Sequence, residues 1–427
     1  MTGDTYPLVL RGGRVAPTDG RAGAPERLDI AIGADGRIQR LERTLPARGV
    51  EEWDLGGRLI MPGLVDVHQH LDKSRTGRSI ANPTGTLLGA IQGFEAYARR
   101  VSREDIARRA EHTAEACLAR GTIAIRSHVN LDPSWGLRGV EALVDVRERL
   151  RHRVRLQVAA LVSSGETPIT TDLARDLLEA ALDAGVDVIG GAPAFAAEPI
   201  EYLKMLFQAA ARHDRMLDLH IDETLDPASR HLGHVAGLTR AFGMGGRVVA
   251  GHCCSLGALP PDEAQPIMAA VAEADVGVVT LPACNLFLQG RDALALVPRG
   301  LTRVADLVAA GVRVACGSDN IQDPFNPVGS GDLLEIGRWT FLAAHLPLEA
   351  LPHVIAMGTT VPAGFMGPDA DYGIREGTYA DLLIVASEDP VDALMSGPVE
   401  RTVVFHGKRV AGPTLTAPQA PPSTVFP

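Results

Sequence analysis

The sequence predicts an α/β fold, a (β/α)8 TIM barrel carrying a small β-sandwich domain built from both chain termini. Three observations lead there. The middle of the 427-residue chain alternates apolar, strand-like runs with amphipathic helical patterns. Eight such runs occur, the number a closed parallel barrel needs. The two ends of the chain differ from the middle, being short β-forming stretches broken by Gly and Asp-Gly turns.

The apolar runs fall at residues 59–68, 122–129, 154–161, 186–190, 216–221, 247–252, 276–281 and 312–316. Helical periodicity separates most of them, at 103–120, 173–184, 200–212, 262–274 and 301–310. A doubly wound open sheet is the competing arrangement. It is disfavoured because no GxGxxG turn follows the first run. The stretches LVLRGGRV, RLDIAIGADGRIQRLE and EEWDLGGRLIMPG at one end match TYADLLIVAS and RTVVFHGKRVAG at the other in character. This assigns 1–61 and 366–412 to the β domain and 62–365 to the barrel. Residues 413–427 are Pro-rich without periodicity and read as an extended tail.

Composition narrows the class of function. A formal net charge of −11 argues against nucleic acid or an anionic membrane as a partner. No apolar run reaches the ~18 residues of a membrane span. The start, MTGDTYPLVLRGG, has no basic stretch followed by an apolar one, so export is not expected. The five cysteines include no CxxC pair, which predicts neither a disulfide framework nor a thiolate metal site and fits a reduced cytoplasmic compartment. Cys253, Cys284 and Cys316 lie in strand-like runs and read as small buried residues.

The chemistry sits where a barrel would gather it, at the C-terminal ends of the strands. The first run ends VDVHQH, and residues i and i+2 of a strand share a face, so His68 and His70 project together. Alone, an HxH is more often a pair of packed histidines than a metal site. The fifth run, however, ends LHIDE with His220 and Glu223, the sixth ends AGHCCS with His252, and the eighth ends CGSDN with Asp319. Imidazoles with one carboxylate suit a divalent ion such as Zn²⁺ or Fe²⁺. His128 follows the second run and is expected to line the cavity without a required role. His231 and His234, in a helical segment, are expected to be structural or exposed. Lys73 reads as a loop salt bridge or structural lysine.

These residues carry a resemblance. HxH after the first strand, His after the fifth and sixth, and Asp after the eighth resemble the amidohydrolase superfamily, as do MPGLVDVHQH and YGIREGTYADLLIV. HIDE, the GH of AGHCCS, SDNIQDP, NLFLQGRD (285–292) and GTLLGAI (85–91) are similar to its cytosine-deaminase branch, and HLDKS and SDNIQD also to N-isopropylammelide isopropylaminohydrolase. The resemblance implies one metal held by His68, His70, His220 and Asp319. The carboxylated lysine of binuclear members has no counterpart in DVIGGAPAF, after strand four. It further implies Glu223 as the group that passes a proton from the activated water to a ring nitrogen. Asp319 then serves also as proton shuttle, and His252 as hydrogen-bond partner of the water or developing oxyanion.

The expected activity is deamination of a nucleobase-like or cyclic amidine heterocycle, attacked at its C–NH2 carbon with release of ammonia. Ser163 stands where cytosine deaminases place a glutamine. Asn320 replaces the second aspartate after strand eight, and the following aromatic is Phe325; with Gln289 of NLFLQGRD these are the expected substrate-facing residues. The departures put cytosine itself in doubt. Two other hydrolyses compete, of an N-substituted aminotriazine and of a cyclic amide, as does a catalytically silent relative acting in protein interactions. The expected partner is a small heterocycle, with self-association left open.

Overall fold

The computed structural model describes residues 5–17, 23–163, 167–367 and 371–415. The expected tail falls largely outside this range, since residues 416–427 are not among those described.

Two eight-stranded sheets organise the chain. The barrel sheet runs in sequence order through Leu64–Gln69, Thr122–Leu131, Arg155–Val162, Val188–Gly191, Met216–Ile221, Val248–His252, Gly277–Thr280 and Val314–Cys316. Every neighbouring pair is parallel. Strands one and eight close the circle through the isolated bridge between Gln69 and Asp319, with the Asp319 N–H donating to the His68 carbonyl at 2.8 Å. The strands are buried on both faces, which explains why they read as unbroken apolar runs rather than alternating ones.

The run expected at 59–68 is two strands, not one. Leu59–Pro62 pairs antiparallel with Leu382–Val385 in the second sheet, whereas Leu64–Gln69 enters the barrel. The chain changes sheets at Gly63, where a Cβ would lie 2.4 Å from the Ile123 side chain. Only glycine lets the backbone turn that close to strand two.

The second sheet draws five strands from the start of the chain, Thr5–Val15, Glu26–Ile32, Ile38–Glu42, Arg48–Asp54 and Leu59–Pro62, and three from its end, Leu382–Val385, Arg401–Phe405 and Lys408–Ala411. It forms one mixed, continuous sheet. Thr5–Val15 breaks register between Leu10 and Gly13, and Gly12 takes φ 60°. Past that bulge its parallel partner changes from Arg48–Asp54 to Leu59–Pro62. Leu10, Ile30, Trp53 and Leu382 fill its own core, while Leu59, Met61, Leu383 and Phe405 join the barrel's.

Helices Arg103–Ala119, Thr171–Asp183, Pro199–His213 and Pro261–Glu273 lie within two residues of the expected spans; Val304–Ala309 is shorter than expected. Leu87–Ala98 is a helix that periodicity alone did not mark. Thr86 caps it by accepting from the Gly89 N–H, and its Leu87, Ile91 and Phe94 cover the mouth of the barrel. Among the described residues no helix is long and apolar enough to cross a membrane.

Candidate active site and metal centre

His68, His70, His220 and Asp319 converge at the C-terminal mouth of the barrel. The Nε2 atoms of His68 and His70 lie 3.2 and 3.1 Å from that of His220. Asp319 Oδ1 lies 3.2 Å from His70 Nε2 and 3.7 Å from His68 Nε2. All four side chains are buried. Ligands at 2.0–2.1 Å around a tetrahedral ion stand about 3.4 Å apart, so each of these pairs is spaced as two donors to one ion would be. Both Asp319 carboxylate oxygens are buried without a hydrogen-bond partner. Burial, together with the neighbouring imidazoles and Lys73, holds His68, His70 and His220 well below the usual imidazolium range, leaving neutral donors. Burial pushes the Asp319 carboxyl up to about 7. A carboxylate this costly to bury is stabilised by a cation beside it, as a metal ligand is. The donor set fits a divalent ion.

The strand ends hold this geometry under strain. Asp319, His252, Cys253 and Asp222 take φ of 58°, 66°, 51° and 52°, a region non-glycine residues avoid. The surroundings fix them. Asp222 accepts from Ser229 Oγ at 2.7 Å and the Leu232 N–H at 3.0 Å and pairs with His231 Nδ1 at 2.8 Å, which pins the loop that carries Glu223. His231 is thus structural, as expected, and His234 is exposed. Asp323 accepts from Asn320 Nδ2 at 2.7 Å and from the Phe325 and Asn326 N–H groups, fixing the loop after strand eight.

Glu223 and His252 face the histidine–aspartate cluster. Burial, reinforced by Asp319 and partly offset by Lys73, pushes the Glu223 carboxyl well above its ordinary range. Its Oε1 lies 3.6 Å from His252 Nδ1. Asn285 Nδ2 donates to that same Nδ1 at 3.1 Å, so the His252 proton resides on Nε2. Among the described residues Nε2 has no hydrogen-bond partner, and His252 groups with His68 and His220. Burial pushes the His252 imidazolium down to about 3, keeping the ring neutral.

One cavity joins these groups. His70, His220, Glu223, His252 and Asp319 line it with Ser163, Asn320 and Phe325. Gln289 is not brought there. Its amide donates to the Glu223 backbone carbonyl at 3.1 Å, steadying the loop that carries Glu223. His128 does not line the cavity either. Its ring lies 4.1 Å from that of His68, and its Nε2 is 3.5 Å from Asp218 Oδ1.

Among the described residues Lys73 forms no salt bridge. It is 4% exposed and lines the cavity, with Nζ 3.1 Å from His70 Nδ1. Sequence reasoning missed Lys73, Asn130 and Asp132 as cavity residues and Asn285 as the His252 partner. The HLDK and NLFLQ motifs held the only local signals.

Comparison with known proteins agrees with this geometry. Residues 51–411 match the Amidohydrolase family. The pterin deaminase of Rhizobium rhizogenes is 32% identical over 390 residues, 90% of this chain and 87% of that protein. The 5-methylcytosine deaminase of Klebsiella pneumoniae superposes with a TM-score of 0.88 at 28% identity, covering 97% of this chain and 99% of the other. The N-isopropylammelide isopropylaminohydrolase of Burkholderia multivorans gives 0.79 at 32% identity, covering 95% and 98%. Eight parallel strands, buried histidines and an aspartate gathered at their C-terminal ends and a family match over residues 51–411 place this chain in the amidohydrolase family.

Proposed function

We propose that this protein is a mononuclear metal-dependent aminohydrolase that releases ammonia from an amino-substituted, nucleobase-like heterocycle. The observation that carries the reading is that His70, His220, Asp319, Glu223 and His252 line one cavity, with His68 Nε2 3.2 Å from His220 Nε2. The deaminases among its relatives act on ring systems of this class.

A divalent cation held by His68, His70, His220 and Asp319 would supply the Lewis acidity that lowers the pKa of a water toward neutral. The chain's own groups do the rest. Leu87, Ile91, Phe94 and Phe325 wall the cavity with apolar and aromatic surface suited to a flat ring. Glu223, with its carboxyl shifted upward, holds a proton it can hand to a ring nitrogen, which makes the adjacent carbon electrophilic. His252 presents Nε2–H where negative charge develops on the attacked centre. Asp319 has a second oxygen free to carry the remaining proton to the departing amine.

Two measurements test the reading together. Metal analysis of purified protein is expected to find close to one divalent ion per chain, and chelation to abolish turnover that Zn²⁺ or Fe²⁺ restores. An ammonia-release screen over aminopyrimidines, aminotriazines, aminopterins and cyclic guanidines is expected to find a substrate. A chain that takes up no metal after reconstitution would end the proposal. The N-isopropylammelide hydrolase likeness supports a second reading, in which an alkylamine leaves instead of ammonia. Identifying the released amine separates the two. Ring opening of a cyclic amide is less well supported, because strand four ends in Gly190–Gly191 and no lysine follows before Lys204.

A further inference from the structure

We infer that Lys73 selects the substrate by donating to a ring oxo group, so that the favoured substrates are amino-oxo heterocycles rather than rings bearing amino groups alone. The inference rests on the aminohydrolase reading and narrows its substrate class.

Lys73 is the only lysine or arginine among the described residues that line the cavity, which also holds the carboxyl groups of Glu95, Asp132, Glu223 and Asp319. Its ammonium is buried, yet no carboxylate forms an ion pair with it among the described residues; the contacts around it are His70 Nδ1 and two aromatic rings. Nζ lies 5.6 Å from the Phe94 ring centre and 5.1 Å from that of Phe325. Aromatic faces at this range stabilise a cation without accepting its N–H bonds in the way an oxygen would.

The contact to His70 does not satisfy the ammonium in the loaded enzyme. When His70 Nε2 gives its lone pair to a cation, the neutral ring carries its single proton on Nδ1. Nδ1–H is then a donor facing another donor, and Lys73 must turn its N–H bonds elsewhere. The cavity is the open direction. Among the carboxylates that line the cavity, Asp132 Oδ1 already takes the Ser134 and Trp135 N–H groups. A lactam oxygen on the bound ring offers a fresh acceptor of the right polarity. Ser163, on the wall formed after strand three, is too short to grip such an edge with two bonds, which leaves the strong donor to Lys73.

The test compares paired substrates that differ only in the oxo group, such as cytosine with 4-aminopyrimidine and 2-amino-4-oxopteridine with 2-aminopteridine, in metal-loaded wild type and Lys73→Met. Wild type is expected to favour the oxo member, and Lys73→Met to lower the oxo-to-deoxo ratio of kcat/KM about 10–100-fold, the range for losing a charged hydrogen bond. Lys73→Arg is expected to recover part of that ratio, and the metal dissociation constant to stay put. An unchanged ratio, a wild type indifferent to the oxo group, or a variant whose principal defect is weaker metal binding would overturn the inference; the last would make Lys73 a support for His70. If no pair is turned over, the aminohydrolase reading itself fails. Calorimetric binding of a dioxo ring such as uracil to wild type and Lys73→Met then still decides the role of Lys73.

Discussion

Glu223→Gln is expected to cut kcat by about 10²–10⁴-fold, the range for losing a positioned acid–base group, while metal content and melting temperature stay at wild-type values. The substitution keeps shape and hydrogen-bonding capacity but cannot exchange a proton. Glu223 stands apart from the four proposed metal ligands, its Oε1 lying 3.6 Å from His252 Nδ1. The Gln289 bond goes to its backbone carbonyl and survives the change. Steady-state kinetics beside metal analysis on the same preparation checks both halves. A variant within tenfold of wild type would remove Glu223 from the chemistry. One that loses the metal would make it part of the metal site.

The largest effect on stability is expected at the barrel floor. Arg126, fully buried, donates through NH1 to Asp218 Oδ2 at 2.6 Å, through Nε to Gln157 Oε1 at 3.0 Å, and to the Phe365 carbonyl. Arg126→Met leaves Asp218 without its counter-charge and should cost about 3–5 kcal/mol, as for other broken buried pairs. Burial already pushes the Asp218 carboxyl up to about 6 despite the arginine. Without Arg126 it moves higher still. A carboxyl whose folded value exceeds its unfolded one takes up a proton on folding, so stability is greatest below the unfolded value and falls as pH rises through the folded one. The variant should therefore be nearer to wild type at pH 5 than at pH 8. Denaturant melts at the two pH values measure this. A deficit that does not shrink on acidification would mean that the lost hydrogen bonds, not the stranded charge, dominate.

The barrel was legible because its strands are buried on both faces and so write themselves as apolar runs, several of them ending in or near the histidines and carboxylates of the site. His68, His220, His252 and Asp319 could be found by that rule alone. Gly63 could not, because the reason for the break lies in the side chain of Ile123, sixty residues away. The same holds for Asn285 and Lys73. A helix begun by Pro282 after strand seven sets the amide on His252, and the folding back of the strand-one loop sets the ammonium on His70. Neither carries a period or spacing. Gln289 shows the reverse case, a residue with the right motif whose side chain turns to the backbone of its neighbour's loop instead of the cavity.

The closing bridge between Gln69 and Asp319 gives the site a second significance. His68 and His70 sit on one lip of the barrel's seam and Asp319 on the other, with nearly the whole barrel lying between them in sequence. A cation bound to both lips rivets the place where the circle was last joined. On that edge strand one meets only strand eight, whose residues come last in the barrel sheet. An ion held by His68, His70 and Asp319 would therefore draw its ligands from both ends of the barrel, and a barrel lacking strand eight would lack Asp319.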